Sequence, residues 1–228
     1  MNLSKNKQLF LSDRLLIIYN LVKNYRSIVD FGCDHGKILL NLYLNFKDKH
    51  FLTAVDNKSL PLNNCKNNFE KLFQSPKNVS YLQIDKISSL PLNHYNCVII
   101  SGVGVNTINE ILKNNHHVTV DYFIFNVDKK IDRLRFIIFS FDWYIEKEYF
   151  ILENNIYQYI CKVNTKKKFK VFTLVDLYLG NKLRFENNQF YYDYLHKNYQ
   201  KIKLNKNISA QKLKIINNYL TTFFSYET

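Results

Sequence analysis

The sequence predicts an α/β fold: a doubly wound, Rossmann-like parallel sheet with a small C-terminal helical domain, a coiled-coil hairpin. Three observations predict it. Short apolar strands alternate with amphipathic helices as far as Phe139, the first three strands run into a glycine or an acid, and two helical stripes without strands follow Lys166-Lys167-Lys168.

Leu11-Ser12-Asp13-Arg14-Leu15-Leu16 opens the first helix, with Ser12 as N-cap and Leu15, Leu16, Tyr19 and Val22 at helical spacing. Ser27–Phe31 is a short buried strand ending at Gly32, and the next helix carries Ile38, Leu39, Leu42 and Tyr43 on one face. Phe51–Asp56 is the second strand, residues 61–73 are helical, and Val79–Asp85 is the third strand. Cys97–Ser101 is the fourth, running into Gly102-Val103-Gly104; Ile108–Lys113 is helical and Tyr122–Phe125 is the fifth strand. Such alternation means parallel pairing with both faces of the sheet covered.

The rhythm breaks after the helix at Ile131–Phe139. Trp143–Leu152 and Tyr157–Val163 read as two strands joined by Glu153-Asn154-Asn155, an antiparallel hairpin at one edge. Residues 166–228 are expected as a second domain after a first at 1–165, with Lys166–Lys168 as a solvated linker. Its helices carry Tyr191, Tyr194 and Leu195, then Leu213, Ile216 and Leu220, joined at Asn205-Lys206-Asn207, and these stripes read as packing faces.

Composition narrows the function. The 228 residues hold 32 basic against 19 acidic side chains, and only 5 Gly and 3 Pro, which excludes a disordered or collagen-like chain. The surplus of 13 positive charges favours a polyanionic partner, although heavy use of Asn, Lys, Ile, Tyr and Phe fits an A/T-rich codon bias that would inflate it. From Thr165 onward 12 basic residues face 4 acidic ones. No apolar run is long enough for a membrane helix, and Asp13 and Arg14 interrupt any signal-peptide centre. Cys33, Cys65, Cys97 and Cys161 form no Cys-x-x-Cys pair, so no zinc site is indicated and a reducing cytoplasm is expected.

The chemistry concentrates in Val29-Asp30-Phe31-Gly32-Cys33-Asp34-His35-Gly36, at the turn from first strand to next helix. Its spacing is not Gly-x-Gly-x-x-Gly, and Asp34 would repel a pyrophosphate, which disfavours a dinucleotide. Carboxylates suit an ammonium and ribose hydroxyls. Asp56 stands where a ribose diol would lie and Asp85 where an adenine amino group would, so three successive strand ends point to S-adenosyl-L-methionine. Asp56 and Asp85 are equally readable as helix caps, and His35 as a hydrogen-bonded loop residue.

These residues resemble the bacterial TrmK family, tRNA (adenine-22-N1)-methyltransferases, over most of the chain. Leu11-Ser12-Asp13-Arg14-Leu15 is similar to its Leu-Ser-x-Arg-Leu, and Val29–Gly36 to its Ala-Asp-Ile-Gly-Ser-Asp-His-Ala. Gly102-Val103-Gly104-Val105 stands for Gly-Met-Gly-Gly, Phe125-Asn126-Val127-Asp128 for Leu-Gln-Pro-Asn, Arg133-Leu134-Arg135 for Arg-x-Trp-Leu, and Ile151–Tyr159 for the hairpin Ile-Leu-Glu-Glu-Asp-Gly-Lys-x-Tyr. Departures are Val105 for glycine, Val127 for proline, and Asn154-Asn155-Ile156 for the Glu-Asp-Gly turn.

The resemblance implies a class I methyltransferase domain, a C-terminal coiled coil, S-adenosyl-L-methionine as cofactor and tRNA as partner. With the strand-end reading it assigns cofactor contacts to Asp30, Gly32, Cys33, His35, Gly36, Asp56, Asn57, Asp85, Lys86, Ser101 and Gly102. Asp34 is the catalytic candidate. Substrate contacts fall on Arg14, Gly104, Asn126, Lys129, Lys130, Arg133 and Arg135. A monomer without metal is expected. The alternative is a catalytically impaired RNA-binding protein that keeps the fold.

Overall fold

A computed structural model describes residues 9–91, 93–113, 118–168, 172–180, 183, 188–203 and 209–224. The chain divides into two compact units between Val127 and Asp128.

The first unit contains α1 (Asp13–Val22), β1 (Ser27–Phe31), α2 (Lys37–Phe46), β2 (Phe51–Asp56), α3 (Ser59–Leu72), β3 (Val79–Gln83), β4 (His94–Ile100), α4 (Val105–Leu112) and β5 (Thr119–Val127). Its strands are parallel in the order β3-β2-β1-β4-β5. Ile28, Val29 and Phe31 bury the central strand on both faces, as an apolar run requires. The chain builds outward from β1 to β3 and then returns to add β4 on the other side of β1. That reversal opens a crevice at the carboxyl ends of β1 and β4, where doubly wound sheets bind ligands.

Two local expectations shift. Ser12 occupies the N-cap of α1, but its side chain makes no capping hydrogen bond; its carbonyl accepts the Leu16 N–H at 2.8 Å. β3 stops at Gln83, so Asp85 lies on the following loop rather than in the strand.

The second unit contains α5 (Ile131–Ser140), β6 (Trp143–Glu153), β7 (Ile156–Lys168), α6 (Leu174–Leu179), α7 (Gln189–Lys203) and α8 (Ala210–Phe224). β6 and β7 pair antiparallel, with Glu153 opposite Ile156. Asn154 and Asn155 take φ of 49° and 62° between them, the left-handed pair that a two-residue hairpin turn demands. Asparagine tolerates that region, so the loss of a turn glycine leaves the hairpin intact.

The expected boundary at 165/166 falls inside β7, and Lys166–Lys168 end that strand instead of forming a linker. Cross-strand pairing carries the backbone past the point where the charge run begins. Of the C-terminal helices, α7 packs on the hairpin: the Phe150 ring lies 5.1 Å from Tyr191 and 5.0 Å from Tyr194. Tyr191 and Leu195 on α7, and Ile216 and Leu220 on α8, are buried as the stripes predict. The join at 205–207 lies outside the described residues. The sequence reading missed α6, whose start is a capping box: Thr173 Oγ1 accepts the Asp176 N–H at 3.2 Å and Asp176 Oδ2 accepts the Thr173 N–H at 2.8 Å. The Thr-x-x-Asp spacing was its signal.

Candidate active site

Phe31 ends β1, and the chain turns at once. Gly32, at φ 83°, and Cys33 both donate their N–H groups to the Val55 carbonyl, at 2.8 and 3.0 Å, which folds the loop over the end of β2. A Cβ on Gly32 would sit 3.2 Å from the Ser101 carbonyl oxygen, so the loop hugs the end of β4 as well. Gly36, at φ 69°, is the N-cap of α2 and closes the turn by donating to the Cys33 carbonyl at 2.7 Å. Between them Asp34 adopts φ 47°, a left-handed backbone rare outside glycine, and its side chain is 68% exposed.

The loop walls a cavity of about 500 Å³ at the carboxyl ends of the strands. Four carboxylates line it: Asp30, Asp34, Asp56 and Asp85. Arg14 enters from the first turn of α1, and Lys37 and Lys58 stand at the helix starts. Asp30 is 4% exposed. Burial pushes its carboxyl up to about 7, against the pull of Arg14, with Asp56 and Asp34 adding to the rise. Asp56 is not the helix cap that the sequence also allowed: Lys58 is the N-cap of α3, and Asp56 Oδ1 accepts the Lys58 N–H at 3.0 Å in the turn before the helix while facing the cavity. A hydrogen bond with Cys65, together with burial, raises the Cys33 thiol far above its ordinary value, which leaves no thiolate for nucleophilic work.

Most of the expected residues converge. Arg14, Asp30, Gly32, Cys33, Asp34, His35, Asp56, Asn57, Asp85, Ser101 and Gly102 all line the cavity. Gly36 and Gly104 act one step back as the N-caps of α2 and α4. Lys86 is exposed on the loop after β3 and is not part of the wall. Asn126 is buried at the end of β5, bonded to Arg14 and Ser101. The sequence reading missed Lys37, Lys58, Ile84, Val103 and Thr107 on the wall; each neighbours a residue or turn that it had singled out. Val105 and Val127, two of the three departures from the family pattern, are buried and absent from the wall.

In the second unit Lys129, Lys130 and Arg133 are exposed. Arg135 is not. It is 1% exposed and paired with Glu148, so it cannot hold a phosphate, contrary to the expectation from sequence. Two residues along a helix turn the side chain by about 200°, which puts Arg133 in water and Arg135 in the core.

A model of the methyltransferase domain family matches residues 11–160, which holds every strand of the parallel sheet and the whole cavity wall. The chain belongs to this methyltransferase family. No curated protein sequence matches it. Among solved structures it is similar to Mycoplasma capricolum TrmK in complex with S-adenosyl-homocysteine, with 28% identity, a TM-score of 0.76, and 96% of this chain and 98% of that one covered. It is also similar to the Bacillus subtilis m1A22 tRNA methyltransferase TrmK, at 18% identity and a TM-score of 0.73 over 95% and 98% of the two chains. A Streptococcus agalactiae protein of the NADB-Rossmann superfamily matches at 19% identity and a TM-score of 0.76 over 97% and 99%. The resemblance to TrmK read from the motifs thus extends over the whole fold, C-terminal helices included. Among the described residues, no helix is long and apolar enough to cross a membrane.

Proposed function

We propose that this methyltransferase uses S-adenosyl-L-methionine to methylate N1 of adenine 22 in the D-arm of tRNA, in the cytoplasm and as a monomer. One observation carries the reading: the carboxylate-lined cavity at the strand ends belongs to a chain similar to M. capricolum TrmK end to end.

The cavity fits the cofactor. Asp30, Asp34, Asp56 and Asp85 match a ligand with an ammonium, a sulfonium and a ribose diol, and nothing lies within 4 Å of where a Cβ on Gly102 would be, leaving the wall open there. S-adenosyl-L-methionine supplies an electrophilic methyl group on a positively charged sulfur. Asp56 and Asn57 would hold the ribose hydroxyls, Asp85 would flank the adenine, and Asp30, Gly32, Cys33 and His35 would enclose the amino-acid end. Gly36 sets the shape of that loop.

Adenine N1 has an in-plane lone pair and attacks without first losing a proton, so the protein's work is alignment and exclusion of water. N1 lies on the Watson–Crick edge, which requires an unpaired or extruded nucleotide. The base becomes cationic as it is methylated, and the exposed Asp34 carboxylate at the cavity stabilises that charge. Arg14, Gly104 and Asn126 serve the substrate side. Lys129, Lys130, Arg133 and the basic C-terminal helices hold the tRNA backbone by phosphate contact.

The test is incubation of the protein with labelled cofactor and unmodified tRNA, followed by mapping of the modified base. Label at N1 of adenine 22 is expected. Cofactor binding with no transfer to any tRNA would leave an RNA-binding protein of methyltransferase fold instead.

A further inference from the structure

Arg14 makes contacts that no local pattern announces. Its Nη1 donates to Ser101 Oγ at 2.8 Å and to Asn126 Oδ1 at 2.9 Å, across 87 and 112 residues of chain. The Ser101 hydroxyl donates to the same Asn126 oxygen at 3.1 Å. Ser101 directly follows β4 and Asn126 is the penultimate residue of β5, so one guanidinium spans two neighbouring strand ends. Ser101 and Asn126 are both buried.

Chemistry fixes the polarity of this triangle. Arginine has only donors, so the Asn126 amide must turn its oxygen towards Arg14. With two donors on that oxygen, both of its lone pairs are occupied. The Ser101 proton is committed to Asn126 and its oxygen accepts from Arg14, so neither group is left to act as a base. What remains is orientation.

We propose that Arg14 is a positioning residue: it acts through Ser101 and Asn126, locking that hydroxyl and that amide at the ends of β4 and β5, and so sets the rate of methyl transfer without contributing affinity for the methyl donor. The inference rests on the function proposed above and departs from it in one respect, since Arg14 then serves the substrate side without touching tRNA.

The experiment uses the full chain as wild type, Arg14→Lys, Arg14→Ala, Asn126→Ala and the Arg14→Ala/Asn126→Ala double variant. Thermal unfolding, calorimetric binding of S-adenosylhomocysteine at pH 8.5, and transfer to unmodified tRNA are measured for each. Arg14→Ala and Asn126→Ala should each lower kcat by about 30- to 100-fold, with the KM for tRNA and the affinity for S-adenosylhomocysteine kept. The double variant should fall no more than about threefold below the worse single variant, because coupled residues do not add. Arg14→Lys keeps the charge, but its side chain is one bond shorter and lacks the planar guanidinium, and should stay impaired by about tenfold or more. A raised KM with kcat preserved would make Arg14 a tRNA contact and overturn the inference. So would a parallel loss of S-adenosylhomocysteine affinity, or losses that multiply in the double variant. A wild-type protein that transfers to no tRNA would overturn this inference and the proposed function together.

Discussion

Arg135 and Glu148 meet as an ion pair inside the second unit, Nη2 to Oε1 at 2.9 Å, with side chains 1% and 0% exposed. Arg135 Nε donates to the same oxygen at 2.9 Å, and Nη1 reaches the Leu177 and Tyr178 carbonyls at 3.3 and 3.4 Å. Nη2 is close to the carboxylate without hydrogen-bond alignment. The Tyr159 hydroxyl donates to Glu148 at 2.6 Å. One buried node therefore ties α5, β6, β7 and α6 together.

Removing one partner of such a pair strands the other charge. Glu148→Ala should lower stability by about 3–5 kcal/mol, whereas an apolar pair of matched volume at both positions should cost far less. Urea unfolding of the two variants checks this, and equal losses would show that the pair itself, not the orphaned charge, carries the stability.

Gly180 lies against this node with φ 78°, and a Cβ there would meet Arg135 Nη2 at 2.5 Å and the Glu148 oxygens at 2.7 and 2.8 Å. Both side chains are pinned, so neither can withdraw. Gly180→Ala should destabilise by about 2–3 kcal/mol. A melting temperature equal to wild type would contradict the stated packing.

Gly36 poses a similar problem at the turn after β1, where a Cβ would overlap Cys65 Sγ on α3. Gly36→Ala should weaken S-adenosylhomocysteine binding and lower stability. Adding Cys65→Ala should restore the packing part and leave a backbone cost of about 1–2 kcal/mol from the left-handed conformation. Calorimetry and unfolding of the single and double variants separate the two parts; no recovery in the double variant would refute the steric cause.

Asp30 makes apo stability depend on pH in a defined direction. Its folded value of about 7 lies above the ordinary 3.8, so the folded chain holds a proton that the unfolded chain has lost. The stability this group contributes is complete below about pH 4 and falls as pH rises through 7. Asp30→Asn removes that dependence, and its stability relative to wild type should grow by on the order of 4 kcal/mol between pH 4 and pH 8. His50 works in the opposite sense: burial lowers its value, so it penalises the fold as pH drops below about 6.5. Comparing Asp30→Asn with wild type cancels the histidine, and a constant difference across the range would reject the raised carboxyl.

Asp34 tests the chemistry. Asparagine suits its φ of 47° better than alanine, so Asp34→Asn isolates the charge. Transfer should fall by about 100-fold while S-adenosylhomocysteine affinity stays within about threefold. Wild-type kcat in this variant would remove Asp34 from charge stabilisation.

Much of the site was legible in the linear order of residues. Asp30 was found inside the apolar run of β1, next to its glycine turn, and Asp56 and Asp85 because the polar residue at or just after a strand's end sits at the sheet's rim. The glycines of the Asp30–Gly36 turn were found because sharp turns need them. Arg135 was misread because a basic residue beside Arg133 looks like one more cation on a helix surface; only Glu148, on the next strand, makes burial affordable. The α6 cap was present as Thr173-x-x-Asp176 and overlooked.

The sequence by itself determined which residues stand at the carboxyl ends of the strands, since hydrophobic periodicity and turn chemistry are local. Tertiary structure alone decided which of those carboxylates loses its solvent, as Asp30 does, and which distant partners Arg14 would find on β4 and β5. Desolvation and hydrogen bonding depend on distances through space, and no spacing along the chain encodes them.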